Sequence, residues 1–341
     1  MLPSKPLYSL HGISSRSLYA DVVQRANAGG ELLPGTPGTL VKRAGTGHEY
    51  WYRSYSPAPR KRSEQFVGRT NDSAAYGAMQ SRIADSAWTA KQVAALSKLG
   101  YQVADKSIAG VLVELHNRRI FQAGMVVVGS LAYMSWLNEF GAAAPAAGAL
   151  HVKLARRQML KLATTISFLS AMHATQLPFV VILGVPRKNP STSMKLTGGD
   201  GRRVEVFAPG PILGEIVALP ELDWHAQTVP FYDYLLEGSR VGAALAGGHC
   251  VPILLPDVAR MVWYYLYSST RRGEDPAKAE RRLVQAATLA AILIEQQSVL
   301  LRESYREAPR ELRNVAHSRL PRLEKLLAEH PRARDEFRKL R

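Results

Sequence analysis

Cysteine is almost missing from this chain of 341 residues. Cys250 stands alone, which excludes an intramolecular disulfide and a cysteine-cluster zinc site and fits a reducing cytoplasm. Long apolar runs are also missing: none approaches the roughly 20 residues of a spanning helix. No apolar stretch of signal-peptide type follows Met1-Leu2-Pro3-Ser4-Lys5, so the expectation is a cytoplasmic protein without a membrane anchor. Several motifs are absent: a Walker-type glycine loop, His-Glu-x-x-His, Gly-x-Ser-x-Gly and a dinucleotide fingerprint, which removes the commonest ATPase, zinc-protease, hydrolase and dehydrogenase readings. There is no internal repeat and no low-complexity tract. Negative charge is scarce, with 28 Asp plus Glu against 44 Lys plus Arg, a formal charge of +16. Such a surface attracts phosphate polymers or anionic membranes, or is simply solvated.

What is present is the profile of a folded protein, 46% hydrophobic and 21% charged. Tyr8 to Ala28 reads as a helix. Three strand-like runs follow, Thr39 to Arg43, His48 to Tyr55 and Arg62 to Gly68, with turn residues between them. They predict an antiparallel meander with an aromatic, basic middle strand. Its tyrosines either pack over a helix or stack bases while Arg53, Arg60, Lys61 and Arg62 hold phosphates.

Helical spacing then runs from Ser73 to Leu99, with Gly100 as the stop, and from Ser107 to Arg119. The β-branched strand Val126 to Val128 ends in Gly129-Ser130 and opens a helix from Leu131 to Phe140. That arrangement points backbone N–H groups and a hydroxyl at a place where a phosphate binds well. The plainer reading makes Ser130 the N-cap of an ordinary turn. A strand over Leu150 to Arg156 and a helix over Arg157 to His173 come next. Strands follow at Phe179 to Val185, Ser193 to Leu196 and Arg203 to Phe207, with a turn at Gly198-Gly199-Asp200-Gly201. From Pro209 to Val251 the pattern is irregular. Helices opened by prolines span Pro256 to Thr270, Pro276 to Arg302 and Pro309 to Glu329, and the tail from Ala333 reads as frayed.

The fold class expected is α+β, a mixed sheet flanked by helices. The expected divisions are 1–70 (helix and meander), 71–122 (a helical arm), 123–255 (the core) and 256–341 (a helical region). His225 and His249 fall in loop-like sequence without ligand spacing, and Trp224-His225 and Trp263-Tyr264-Tyr265 read as packing aromatics.

Tyr50-Trp51-Tyr52, Phe66-Val67-Gly68, Val126 to Ser130, Leu154-Ala155-Arg156-Arg157, Ser191-Thr192-Ser193, Arg203-Val204-Glu205-Val206 and Pro276-Ala277-Lys278-Ala279 together resemble one bacterial family. It is the NTP_transf_8 type of nucleotidyltransferase, within the polymerase-beta-like superfamily, and the resemblance runs from about Thr39 to Gln297. It implies two acids in an Asp-x-Asp pattern on one strand and a third acid on a later strand, together holding Mg²⁺ for transfer from a nucleoside triphosphate. The first two positions fall on His151 and Lys153, the third on Glu205. A His-Lys pair expected after Pro256 appears as Tyr264-Tyr265, and an acid expected after Pro276 appears as Arg282.

Strand alternation puts His151 and Lys153 on one face. Three readings of them stand side by side. Lys153 replaces the metal's charge and, with Gly129, Ser130 and His151, grips nucleotide phosphate. Alternatively the chain is a pseudoenzyme that contacts a protein partner or a nucleic acid, the latter through Arg60, Lys61, Arg62, Arg156 and Arg157. Or Mg²⁺-dependent transfer to RNA, protein or a small acceptor persists, with Glu205 as catalytic acid and help from Asp200 or Glu215. No metal ligand set is assigned from sequence.

Overall fold

Met125–Val128 is buried at every residue, and the main sheet is built around it. In the computed structural model, which describes residues 5–45, 47–58, 60–145, 151–198, 201–271, 275–296 and 300–340, this strand lies in a nine-stranded mixed sheet. Its path runs Ile216–Leu219, Trp224–Val229, Arg203–Pro209, His151–Arg156, Met125–Val128, His249–Leu255, Arg240–Ala246. Ser193–Leu196 pairs with the start of Arg203–Pro209 and carries Phe179–Ile182 on its other edge. The fold is α+β, as its alternation of helices and mixed strands predicts.

Two pairings position the site. His151–Arg156 runs antiparallel to Met125–Val128, with Lys153 opposite Val128. It also runs parallel to Arg203–Pro209, with Lys153 opposite Glu205 and His151 opposite Arg203. Helix Ser130–Glu139 leaves the end of Met125–Val128 through Gly129, whose φ of 72° only glycine adopts readily.

The small sheet is the expected antiparallel meander, Thr39–Ala44, Glu49–Tyr55 and Ser63–Arg69. Helix Ser73–Lys98 follows it and ends at Gly100, whose φ is +92°. Val93 and Leu96 on this helix, Tyr19 and Val22 on helix Ile13–Ala28, and Leu245 and Cys250 on the long hairpin form a second core.

Several expectations are corrected. The helix predicted over Arg157 to His173 is only Phe168–Ala174. The segment before it is held by non-local bonds, Lys161 N–H to Ala123 O (2.9 Å) and Ile166 N–H to Glu221 O (3.0 Å), which compete with helical ones. The stretch read as irregular after Pro209 contains Ile216–Leu219, Trp224–Val229 and Arg240–Ala246. His225 and His249 therefore lie in strands rather than loops. Pro256 precedes its helix, Val258–Ser268, for which Asp257 is the N-cap. The long C-terminal helix is broken into Arg310–His317 and Leu320–Leu326. The tail is not frayed: Pro331–Arg338 buries Ala333 and Phe337, and the Phe337 ring packs 5.6 Å from that of Trp263. Leu150 and Asp200 lie outside the described residues.

No described helix is long and apolar enough to cross a membrane.

Candidate functional site

The residues at the centre of the sheet are brought together by register. Lys153 Nζ lies 3.4 Å from Glu205 Oε2, with the two side chains 27% and 22% exposed, and 5.6 Å from the centre of the Phe207 ring. Lys153 also lies against the Gly129 turn, where a Cβ on the glycine would meet Lys153 Cδ at 3.2 Å. The turn and the lysine therefore form one wall. Gly129 itself holds the N-cap position and Ser130 is the first helical residue, so Ser130 is not the cap of an ordinary turn.

His151 faces the same side as Lys153, one strand period away. The backbone N–H of Arg203 donates to His151 Nδ1 at 3.2 Å, which requires that nitrogen to be unprotonated. Burial lowers the His151 pKa below its ordinary value. Glu205 opposes that shift, while the positive charges of Lys153, Arg203 and Lys278 reinforce it. The imidazole is thus neutral near pH 7.

Burial likewise lowers the pKa of Lys153. The Glu205 carboxylate pulls it back up, and Lys278 and Arg282 push it down again. Lys278 thus bears on both His151 and Lys153, joined by Arg203 at the first and Arg282 at the second, with Glu205 opposing them at both. Lys278 and Arg282 both lie on helix Pro276–Gln296, one turn apart. Lys278 falls inside the Pro276-Ala277-Lys278-Ala279 run, and that is the signal by which it could have been read as a site residue. Among the described residues, no group of three or more His, Cys, Asp or Glu could hold a metal ion.

The aromatic pair on Val258–Ser268 closes the site from behind. The buried Tyr265 hydroxyl donates to Gly129 O at 3.0 Å and so ties the turn down, and Tyr264 accepts from Arg271. Arg282 donates to Ser268 O at 2.8 Å, bracing the two helices.

The other basic residues singled out in the sequence lie elsewhere. Arg156 has the opposite strand parity from Lys153 and pairs with buried Glu221 (2.9 Å). Arg157 pairs with Glu237 (3.2 Å). Arg60, Lys61 and Arg62 are exposed beside the meander, where Lys61 donates to Gln176 O at 2.7 Å. Arg53 is not a surface residue at all: it is 0% exposed. Glu215 opens a strand two places along the sheet from Arg203–Pro209, about 10 Å away by strand spacing.

Compared with models of known families, residues 106–310 match NTP_transf_8, described as nucleotidyltransferase. The chain belongs to this nucleotidyltransferase family. The family match starts at the first residue of helix Lys106–Asn117 and ends at Arg310, so it contains the whole Lys153 site but not the meander. The resemblance read from sequence is wider at its start, from about Thr39, and shorter at its end, to about Gln297. No curated protein and no solved structure gives a significant match.

Proposed function

We propose that this nucleotidyltransferase-family chain binds nucleotide phosphates through its own cations and has lost nucleotidyl transfer. The observation that carries the reading is Lys153, seated between the Gly129 turn and Glu205 and facing Glu205 at 3.4 Å. An ammonium group donates three hydrogen bonds and accepts none, so it cannot ligate Mg²⁺. Hard Mg²⁺ wants several carboxylate or phosphate oxygens in near-octahedral geometry, and His151, Lys153 and Glu205 supply one carboxylate. The donor set does not fit the family's metal.

The same residues suit an anion. Around the Lys153–Glu205 pair, Lys278, Arg282 and Arg203 add positive potential that reaches His151 and Lys153. Helix Ser130–Glu139 directs the N–H groups of its first turn, and the positive end of its dipole, towards the Gly129 side of that cluster. A polyphosphate would take hydrogen bonds from the turn and charge from the cluster. Ser130 and His151 would add neutral polar contacts.

The full-length protein incubated with labelled nucleoside triphosphates and Mg²⁺, with cellular RNA and protein as acceptors, should transfer no label. Transfer that disappears in Glu205→Ala would replace this reading with retained chemistry, Glu205 acting as catalytic acid.

A further inference from the structure

The meander has a second face that the Lys153 site does not use. Residues on Glu49–Tyr55 alternate between the two sides. Trp51 and Arg53 face inward: the Trp51 ring packs 4.8 Å from Tyr76 of helix Ser73–Lys98, and Arg53 is buried. Tyr50 and Tyr52 therefore face away from that helix. Register places Tyr52 opposite Phe66 and Val41, and Tyr50 opposite Arg69 and Arg43. An irregularity between Trp51 and Tyr52 absorbs the extra residue on Ser63–Arg69 and keeps Phe66 and Arg69 on this outer face.

Three rings thus share one open sheet surface. Phe66 is 57% exposed, an unusual position for a phenylalanine with no partner over it. Its ring centre lies 5.8 Å from that of Tyr50 and 5.6 Å from that of Tyr52, so the three form a contiguous platform. At the Tyr50 end, the His48 ring stands edge-on to Tyr50 at 6.4 Å.

Charge says what this platform fits. Register puts two exposed arginines, Arg43 and Arg69, on this face beside Tyr50, and one acid, Glu64, beside them. Glu64 is paired with Arg43, so the face carries net positive charge through Arg69. Tyr50 and Tyr52 lie two residues apart on one strand, about 7 Å, a spacing that a stretched single strand can match with successive bases. A duplex hides its base faces and cannot use such rings.

We propose that the outer face of the meander is a binding surface for single-stranded nucleic acid, with unpaired bases stacked on Tyr50, Tyr52 and Phe66 and phosphates held by the arginines around them. The surface lies outside the family-matched segment and shares no residue with the Lys153 site, so it stands or falls independently of the nucleotide reading.

The test is fluorescence anisotropy of the full chain with a labelled mixed-sequence single-stranded RNA of about 12 nucleotides, with the same sequence as a duplex for comparison. The single strand should bind about tenfold more tightly than the duplex, and binding should weaken as salt rises. The triple variant Tyr50→Leu, Tyr52→Leu, Phe66→Leu keeps apolar bulk on the sheet while removing the rings. It should lose about tenfold or more in single-strand affinity with unchanged circular dichroism. Tyr52→Trp, which keeps a ring, should retain affinity and guards against misreading a folding defect. Equal binding of single strand and duplex, or unchanged affinity in the triple variant, would overturn the proposal.

Discussion

Two cations are drawn into this molecule and held in opposite ways. In the meander, Arg53 is enclosed. Its Nε donates to Pro37 O (2.9 Å), one terminal nitrogen to Gln65 Oε1 (3.0 Å) and the other to Pro34 O (2.6 Å) and Thr36 O (2.7 Å). Its guanidinium also lies over the Tyr55 ring at 4.1 Å. Burial lowers its pKa to about 10, so it remains charged at neutral pH. In the core sheet, Lys153 has one carboxylate at 3.4 Å, and the cations Lys278 and Arg282 are close enough to lower its pKa.

The contrast separates structure from function. Arg53 meets neutral acceptors that satisfy its donors and leave no role for an outside ligand, so it clips the Pro34 to Pro37 loop to the sheet. Lys153 faces Glu205 with Lys278 and Arg282 near enough to disfavour its charge, surroundings that favour a further anion. An interior cation with satisfied donors reads as architecture, and one crowded by other cations reads as a site.

The largest expected effect comes from breaking the satisfied side. Arg53→Met removes the hydrogen bonds to three carbonyls and an amide oxygen and leaves a half-buried gap, which should cost about 3 kcal/mol. Thermal denaturation should show a fall of roughly 5–10 °C. A variant as stable as the parent would mean that the clip does not hold the loop.

Breaking the crowded side should change binding more than stability. Lys153→Met should weaken binding of a nucleoside triphosphate about tenfold. Glu205→Gln removes the carboxylate that faces Lys153 and should strengthen that binding several-fold. The opposite sign for Glu205→Gln, a loss, is what a metal-dependent site would give, so titration calorimetry on this pair of variants sharpens the comparison.

The smallest effect is on pH dependence. The folded pKa of His151 lies below its ordinary value, so the unfolded chain takes up a proton that the folded chain resists. The sign follows: this contribution is complete above about pH 6.5 and is lost as pH falls below it. Burial holds His11 and His249 neutral in the same way, and they add to the same slope. His151→Asn keeps an acceptor for the Arg203 N–H without titrating. Its melting temperature should therefore fall less than the parent's between pH 7 and pH 5, and identical slopes would show that His151 contributes nothing.

Much of this site was legible before any coordinates. The β-branched run before Gly129 marked the central strand, and strand parity alone put His151 and Lys153 on one face. That Lys153 meets Glu205 depends on parallel register between strands far apart in sequence, which no local pattern encodes. Arg157 to His173 misled for a related reason, since Met159, Leu160 and Leu162 imitate helical spacing while distant carbonyls take the backbone. The tail misled in the other direction: its charge hid an Ala333 and Phe337 stripe one helical turn apart, enough to dock a helix. Arg53 and Arg156 looked like surface charges because sequence shows that a residue is basic and not what surrounds it.

The central claim, that this site holds phosphates with its own cations, is tested most directly by titrating a nucleoside triphosphate into the full-length protein in EDTA and again in excess Mg²⁺. The account predicts binding in EDTA at least as tight as in Mg²⁺, because the free triphosphate carries the greater negative charge and no metal is needed to bridge it. Binding that appears only with Mg²⁺ and vanishes in Glu205→Gln would contradict it.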